Sequence, residues 1–206
     1  MAIIQADIID IKTDTPQQSD IFFVDTNVWF WQTYTNAGFG ANSYQLSNYP
    51  NYPNYINLAL SNGATLTYSG LTLAELAHII EKTEYDIYVK SNGYLRIKEY
   101  RHNYPIERAN VVTEVQLAWS QVKALAVPIE LTVDDKITDA AITRFKTQAV
   151  DGYDLLLLEA ISRAGTGQVK VITDEMDYSV VPDIQVFTSN NYVIQEATKQ
   201  KKLLVR

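Results

Sequence analysis

The chain has 206 residues, with 24 acidic against 17 basic side chains and a formal net charge of −7. It contains no cysteine, which excludes disulfides, thiolate metal sites and a cysteine nucleophile, and its two histidines, His78 and His102, leave little room for an imidazole zinc site. The acidic balance counts against a general nucleic-acid binder, because phosphate contacts draw on Lys and Arg.

Hydrophobic residues make up 47% of the chain, enough to build one sizeable core. The first eleven residues carry Asp7 and Asp10 and lack a basic start, so they do not read as a signal peptide. No apolar run approaches membrane-spanning length, and a cytoplasmic protein without membrane contact is expected. Residues 1–20 read as an N-terminal arm, with Ile3, Ile4, Ile8, Ile9 and Ile11 suited to a short edge strand. Ile21-Phe22-Phe23-Val24 is a short apolar run that ends in Asp25-Thr26-Asn27. Such a run reads as a strand buried on both faces of a parallel sheet.

Residues 32–53 read as a loop insertion, rich in Gly, Asn and Ser. It contains an Asn-Tyr-Pro repeat, Asn48-Tyr49-Pro50 and Asn51-Tyr52-Pro53, followed by Asn54-Tyr55. Tyr49, Tyr52 and Tyr55 would either stack on bases or pack on the body. A short helix over 54–62, a strand over 64–68 and a helix over 71–81 follow, the alternation of a parallel α/β sheet. Residues 82–104 are polar and carry no clear period, within a helical insertion spanning 83–125. Pro105 opens a long helix with Val112, Val115, Trp119, Val122 and Ala126 on one face. A strand is expected at 129–133, a helix at 134–146, a very apolar helix from Tyr153 to Ala164 closed by Gly165, and strands at 169–173 and 184–188. Residues 189–206 read as a tail, a short fraying helix with Lys199, Lys201, Lys202 and Arg206. The fold class is α/β, one domain with a parallel sheet of about five strands and helices on both faces.

Five acids stand where such a fold places its sites. In open α/β sheets ligands bind at the carboxyl ends of the strands. Asp25 and Asp174 follow strands directly, and Asp177 comes three residues after Asp174. Glu75 and Asp154 open helices, and Asp151 is a neighbour of Asp154. Each also has a local role available. Glu75 completes a Thr72-x-x-Glu75 capping box, and Asp154 opposes a helix dipole. Carboxylates that converge without cations repel one another unless a metal neutralises them, and all-oxygen ligands suit Mg²⁺ or Mn²⁺.

Four segments together resemble the PIN-domain nucleases, a family that includes toxin ribonucleases of bacterial toxin–antitoxin pairs. They are Val24-Asp25-Thr26-Asn27, Ser69-Gly70-Leu71-Thr72-Leu73-Ala74-Glu75-Leu76, Tyr153-Asp154-Leu155-Leu156-Leu157, and Val171-Ile172-Thr173-Asp174-Glu175-Met176-Asp177-Tyr178. The resemblance covers roughly residues 20–190 and implies a metal-dependent endoribonuclease. It implies that Asp25, Glu75, Asp154 and Asp174 hold Mg²⁺ or Mn²⁺ and that Asp177 is an outer member of the catalytic group. It also implies that Thr26, Asn27 and Thr173 orient the carboxylates by hydrogen bonds. The implied partners are an RNA substrate and an antitoxin protein. Trp29-Phe30-Trp31 would either support a homodimer or join the core. The chain is longer than the compact toxins, and the 32–53 and 83–125 stretches are its additions.

Residues 88–108 carry five basic against two acidic side chains, interleaved with Tyr94, Tyr100 and Tyr104. Lys90, Arg96, Lys98 and Arg101 are therefore candidates for RNA contact, with a solvated helix face as the equal alternative. His78 lies three residues after Glu75 and reads as a packed or hydrogen-bonded histidine rather than a ligand. The rival function is a catalytically inactive PIN-like module that binds RNA or protein. A haloacid-dehalogenase-like enzyme would need a second aspartate two residues after Asp25, where this chain has Asn27.

Overall fold

A computed structural model describes residues 3–163 and 167–206. The expected end of the apolar helix at Ala164 and its Gly165 cap lie outside the described residues. The strands are β1 (Asp7–Asp10), β2 (Ile21–Val24), β3 (Thr65–Tyr68), β4 (Val127–Pro128), β5 (Val169–Ile172), β6 (Ile184–Thr188) and β7 (Leu203–Leu204). They form one sheet in the order β4-β3-β2-β5-β6-β1-β7, and every pairing is parallel.

Side chains alternate across the strands, so two cores form, one on each face. Phe22, Val24, Leu66 and Ile172 pack beneath α1 (Thr26–Thr33), α3 (Asn51–Ser61), α4 (Gly70–Asn92) and α6 (Pro105–Leu125). Phe23, Val171, Val186 and Ile8 pack beneath α7 (Asp135–Phe145), α8 (Gly152–Arg163) and α9 (Asn191–Lys199). Two shorter helices, α2 (Ser43–Asn48) and α5 (Ile97–Asn103), lie in the expected insertions. Among the described residues no helix is long and apolar enough to cross a membrane.

The sheet has seven strands where about five were expected, and the differences have local causes. The N-terminal arm is not at the edge: β1 lies between β6 and β7. The tail does not fray, because after α9 the chain turns and Leu203–Leu204 pair with Ile8 and Ile9. The strand expected at 129–133 is reduced to Val127–Pro128, with Ile129 N–H closing the last bond to Tyr68 O at 2.8 Å. Beyond it Glu130, Thr132 and Val133 are exposed.

The 32–53 stretch is largely helical rather than looped. Asn42 caps α2 by accepting from Gln45 N–H at 2.9 Å, and the Gln45 side-chain oxygen in turn accepts from the Asn42 backbone N–H at 2.9 Å. Pro53 does not interrupt α3, since it sits in the first turn, where its missing N–H had no helical partner to lose. Tyr52 and Tyr55 of the Asn-Tyr-Pro repeat are fully buried, so they pack on the body. The helix expected at 71–81 runs on to Asn92 and stops at Gly93, whose φ of 89° continues no helix. Its added turns pack through tyrosine rings: Tyr85 and Tyr88 meet Tyr100 of α5, and Tyr88 also meets Tyr104. Polar sequence with regularly placed tyrosines thus supplies apolar contact that a simple hydropathy pattern misses. Trp29 and Phe30 are buried in the core, and Trp31 is half-buried against it with its ring 4.5 Å from that of Tyr49.

Arg206 fastens the far end of the sheet. Its guanidinium donates to Asp14 at 2.7 and 2.9 Å and to Asp20 at 3.0 Å, and stacks over Phe187 at 4.6 Å. Asp14 and Asp20 are both buried, and Lys170 adds a bond to Asp20 at 2.5 Å. Burial by itself raises the Asp20 pKa, but bonds from Arg206, the Gln17 backbone and Lys170 outweigh it and hold it below its ordinary value. Arg206→Ala would leave two buried carboxylates short of their partner and should cost about 3–5 kcal/mol in urea unfolding at pH 7. A carboxyl with a lowered folded pKa stabilises above its unfolded pKa and loses that contribution as pH falls through the folded value. The gap between wild type and variant should therefore narrow below about pH 4.

Candidate active site

A cavity of about 330 Å³ opens beyond the carboxyl ends of the central strands. It is lined by Asp25, Thr26, Asn27, Glu75, His78, Asp151, Tyr153, Asp154 and Glu175, with Ala74 and Ile79. Five carboxylates therefore share one hollow, and no Lys or Arg is among its lining residues.

Each acid is set by its element. Asp25 ends β2 and caps α1, accepting from its neighbour's amide, Thr26 N–H, at 2.7 Å. Its other oxygen accepts from Asn27 Nδ2 at 2.6 Å and Thr173 Oγ1 at 2.5 Å. The Thr26 hydroxyl donates to Glu75 Oε2 at 2.5 Å. Ser69 and Thr72, not Glu75, make the reciprocal capping bonds of α4, which leaves the Glu75 carboxylate to the cavity. Asp151 receives the Tyr153 and Asp154 amides at 3.0 and 3.2 Å and so starts α8. Asp154 is buried, and Tyr178 O–H donates to its Oδ1 at 2.6 Å. Asp154 Oδ2 is buried with no hydrogen-bond partner among the described residues.

Asp174 does not line this cavity. It is turned into a cradle built by the Asn-Tyr-Pro segment, accepting from Tyr52 O–H at 2.6 Å and Asn48 Nδ2 at 3.1 Å, with Tyr44 and Tyr49 also bonding to it. Glu175 stands at the cavity instead. The chain bends at Asp174, and the Glu175 amide donates back to Thr173 Oγ1 at 2.9 Å. No local pattern in the sequence distinguishes Glu175 from Asp174. Asp177 begins a 3₁₀ turn, Asp177–Val180, half-buried beside the cavity without lining it, and feels the charge of Asp151.

The basic candidates fall elsewhere. Lys90 lies over the Phe39 ring at 5.0 Å, Arg96 precedes α5, and Lys98 is exposed on it. Arg101 is paired with Glu81. None of these four lines the acid cavity. His78 is exposed and does line it, which corrects the expectation of a packed histidine.

Burial and mutual repulsion act together on the acids. Burial is the largest cause in each case. The Asp25 carboxyl is raised well above its ordinary value, with the charges of Glu175, Asp154 and Glu75 adding to burial and the Thr173 bond opposing. Glu75 is raised by burial, Asp151 and Glu175 against the Thr26 bond. Glu175 is raised too, with a bond from Asn27 opposing. Asp154 is pushed up to about 7 by burial and by Glu175, Asp151 and Glu75, despite Tyr178.

This is a hard-oxygen donor set with an orphaned buried oxygen, and it fits a divalent cation such as Mg²⁺ or Mn²⁺ in its chemistry. Among the described residues no group of three Asp, Glu or His side chains is yet close enough to hold a metal ion. Side-chain movement would be part of binding.

No protein-family model matches the chain, and no curated protein matches it. Among solved structures it is similar to one described as VapBC2 from Rickettsia felis bound to a DNA fragment from their promoter. The likeness covers 81% of this chain and 96% of that one, at 15% identity and a TM-score of 0.45. Identity and score at that level bear on neither activity nor partners.

The Asp154 shift predicts a pH response. A carboxyl whose folded pKa is raised stabilises below its unfolded pKa, near 4, and loses that contribution as pH rises through about 7. In metal-free protein, Asp154→Asn should raise stability at pH 8 by up to about 4 kcal/mol, with little gain at pH 4. Urea unfolding at the two pH values in the presence of chelator measures this.

Proposed function

We propose that the chain is a metal-dependent endoribonuclease. Asp25, Glu75, Asp154 and Glu175 would hold one or two Mg²⁺ or Mn²⁺ ions, with Asp151 and Asp177 adding negative charge around them. The observation that carries this reading is the buried, unpartnered Oδ2 of Asp154 among four other carboxylates. Such a set is costly by itself and becomes favourable around a cation. A bound divalent ion supplies a more acidic water and offsets charge on the phosphate oxygens.

The chain's own residues prepare the site. Thr173 and Asn27 bond to Asp25 Oδ2, and the Thr26 amide bonds to Oδ1. The Thr26 hydroxyl ties Glu75 to the β2 end, and Tyr178 fixes the Asp154 rotamer. These bonds restrict rotation of the ligands and keep their remaining lone pairs toward the hollow. On this reading Asp174 would stay outside the ligand set and anchor α2 and α3 through its bonds from Asn48 and Tyr52. RNA as the substrate, and a toxin role with an antitoxin partner, are the forms of this reading that the four motif segments imply.

A second reading, an inactive RNA- or protein-binding module, is favoured by one observation: no three acids among the described residues stand at ligating separation. Two measurements divide the readings. The first is Mn²⁺ binding by calorimetry, and the second is cleavage of a mixed single-stranded RNA pool with Mn²⁺, Mg²⁺ or chelator. We expect metal-dependent cleavage that Asp25→Asn/Asp154→Asn abolishes. Glu175→Gln should lower the rate about 100-fold or more, and Asp174→Asn less than about tenfold, since Asn still accepts from Tyr52. Absent cleavage together with absent Mn²⁺ binding in folded protein would leave the binding module. Equal losses at Asp174 and Glu175 would return Asp174 to the ligand set.

A further inference from the structure

A second hollow, of about 480 Å³, lies between α4 and α6 and shares Ala74 and His78 with the acid cavity. Arg101, Arg108 and Glu81 line it. Those arginines are the only Lys or Arg residues among those lining the two adjoining hollows. Glu81 is buried and holds both: Arg101 Nε donates to Oε1 at 2.7 Å, its Nη2 to Oε2, and Arg108 Nη1 to Oε1 at 3.0 Å. A guanidinium has five N–H donors, so each arginine keeps donors beyond those spent on Glu81. The carboxylate fixes two cations in place and cancels only one of their charges.

We infer that this Arg101–Arg108 groove is a binding subsite for the phosphate backbone of a single-stranded RNA whose adjoining phosphodiester lies in the acid cavity. The inference rests on the nuclease reading for the identity of the ligand. A hollow lined by five carboxylates repels a polyanion, and a strand reaching it needs positive charge nearby. Immobilised guanidiniums with open N–H groups match phosphate oxygens, and the shared His78 marks where the two hollows meet. The contact is to the backbone and carries no base preference.

The test measures binding of a short fluorescein-labelled single-stranded RNA by anisotropy between about 50 and 200 mM salt. It uses full-length protein in an Asp25→Asn/Asp154→Asn background, which removes cleavage. Arg101→Gln/Arg108→Gln leaves Glu81 unpaired and risks misfolding, so the neutral set Glu81→Gln/Arg101→Gln/Arg108→Gln is made beside it, with thermal melts for both. Lys136→Gln/Lys146→Gln, exposed on and just after α7, is the charge control. We expect the folded arginine variants to bind roughly 10- to 100-fold more weakly, with the salt slope flatter by about 1.4, and the control to be unchanged. Unchanged binding in the arginine variants, an equal loss in the control, or no RNA binding by the parent would each overturn the subsite. Cleavage in the native background separates the two claims. Native protein that cleaves with a KM indifferent to the arginines loses the subsite and keeps the nuclease. Native protein that binds RNA through the arginines but never cleaves keeps the subsite and loses the nuclease.

Discussion

Repulsion among carboxylates is the dominant constraint at the cavity beyond the carboxyl ends of the strands. β2, β3 and β5 are neighbours at the centre of the sheet, and parallel pairing brings their carboxyl ends together. Each end, or the helix that follows it, delivers an acid. The nearby donors are hydroxyls and amides, Thr26, Asn27, Thr173 and Tyr178, rather than cations. Neutral donors orient a carboxylate without cancelling its charge. The charge is therefore left to be met by protons or by an ion, and Asp154 expresses that balance by rising to about 7.

The opposite end of the sheet resolves the same problem differently. Asp14 and Asp20 are buried, as Asp25 and Asp154 are, yet Arg206 and Lys170 reach them directly. These carboxylates are closed structural pairs, with no lone pair reserved for a ligand. Buried acids in one protein thus divide by the charge of their partners. Paired to guanidinium, they staple the arm and the tail to the core. Bonded only to hydroxyls and amides, they remain available.

The segment carrying α2 and α3 adds a further constraint. Its Tyr52 and Tyr55 do not face solvent. Tyr52 lies beneath the site and bonds at once to Asp174, the Thr173 carbonyl, Thr188 and the Ser189 amide. One phenol thereby joins the ends of β5 and β6. Asp174 is withdrawn into that network, which gives the neighbouring Glu175 the place at the cavity.

Much was legible in the sequence, and the reason is short range. The apolar run at 21–24 ending in Asp25, the alternation of strands with amphipathic helices, and the four motif segments in order depend on local pattern, and the parallel α/β sheet with helices on both faces follows. The placement of Asp25, Glu75 and Asp154 beside one cavity was legible because a strand end and a helix start have sequence signatures. What the tertiary structure decided depends on partners distant in sequence. Adjacent acids at 174 and 175 are equivalent as sequence, and a tyrosine more than a hundred residues away separates them. Short strands such as Leu203–Leu204 have too little pattern to be read, and exist because Ile8 and Ile9 offer an open edge. The helical turns beyond Glu81 look polar until Tyr100 and Tyr104 are packed against them. Periodicity determines which face of an element is buried; only the assembled fold determines which charge meets which.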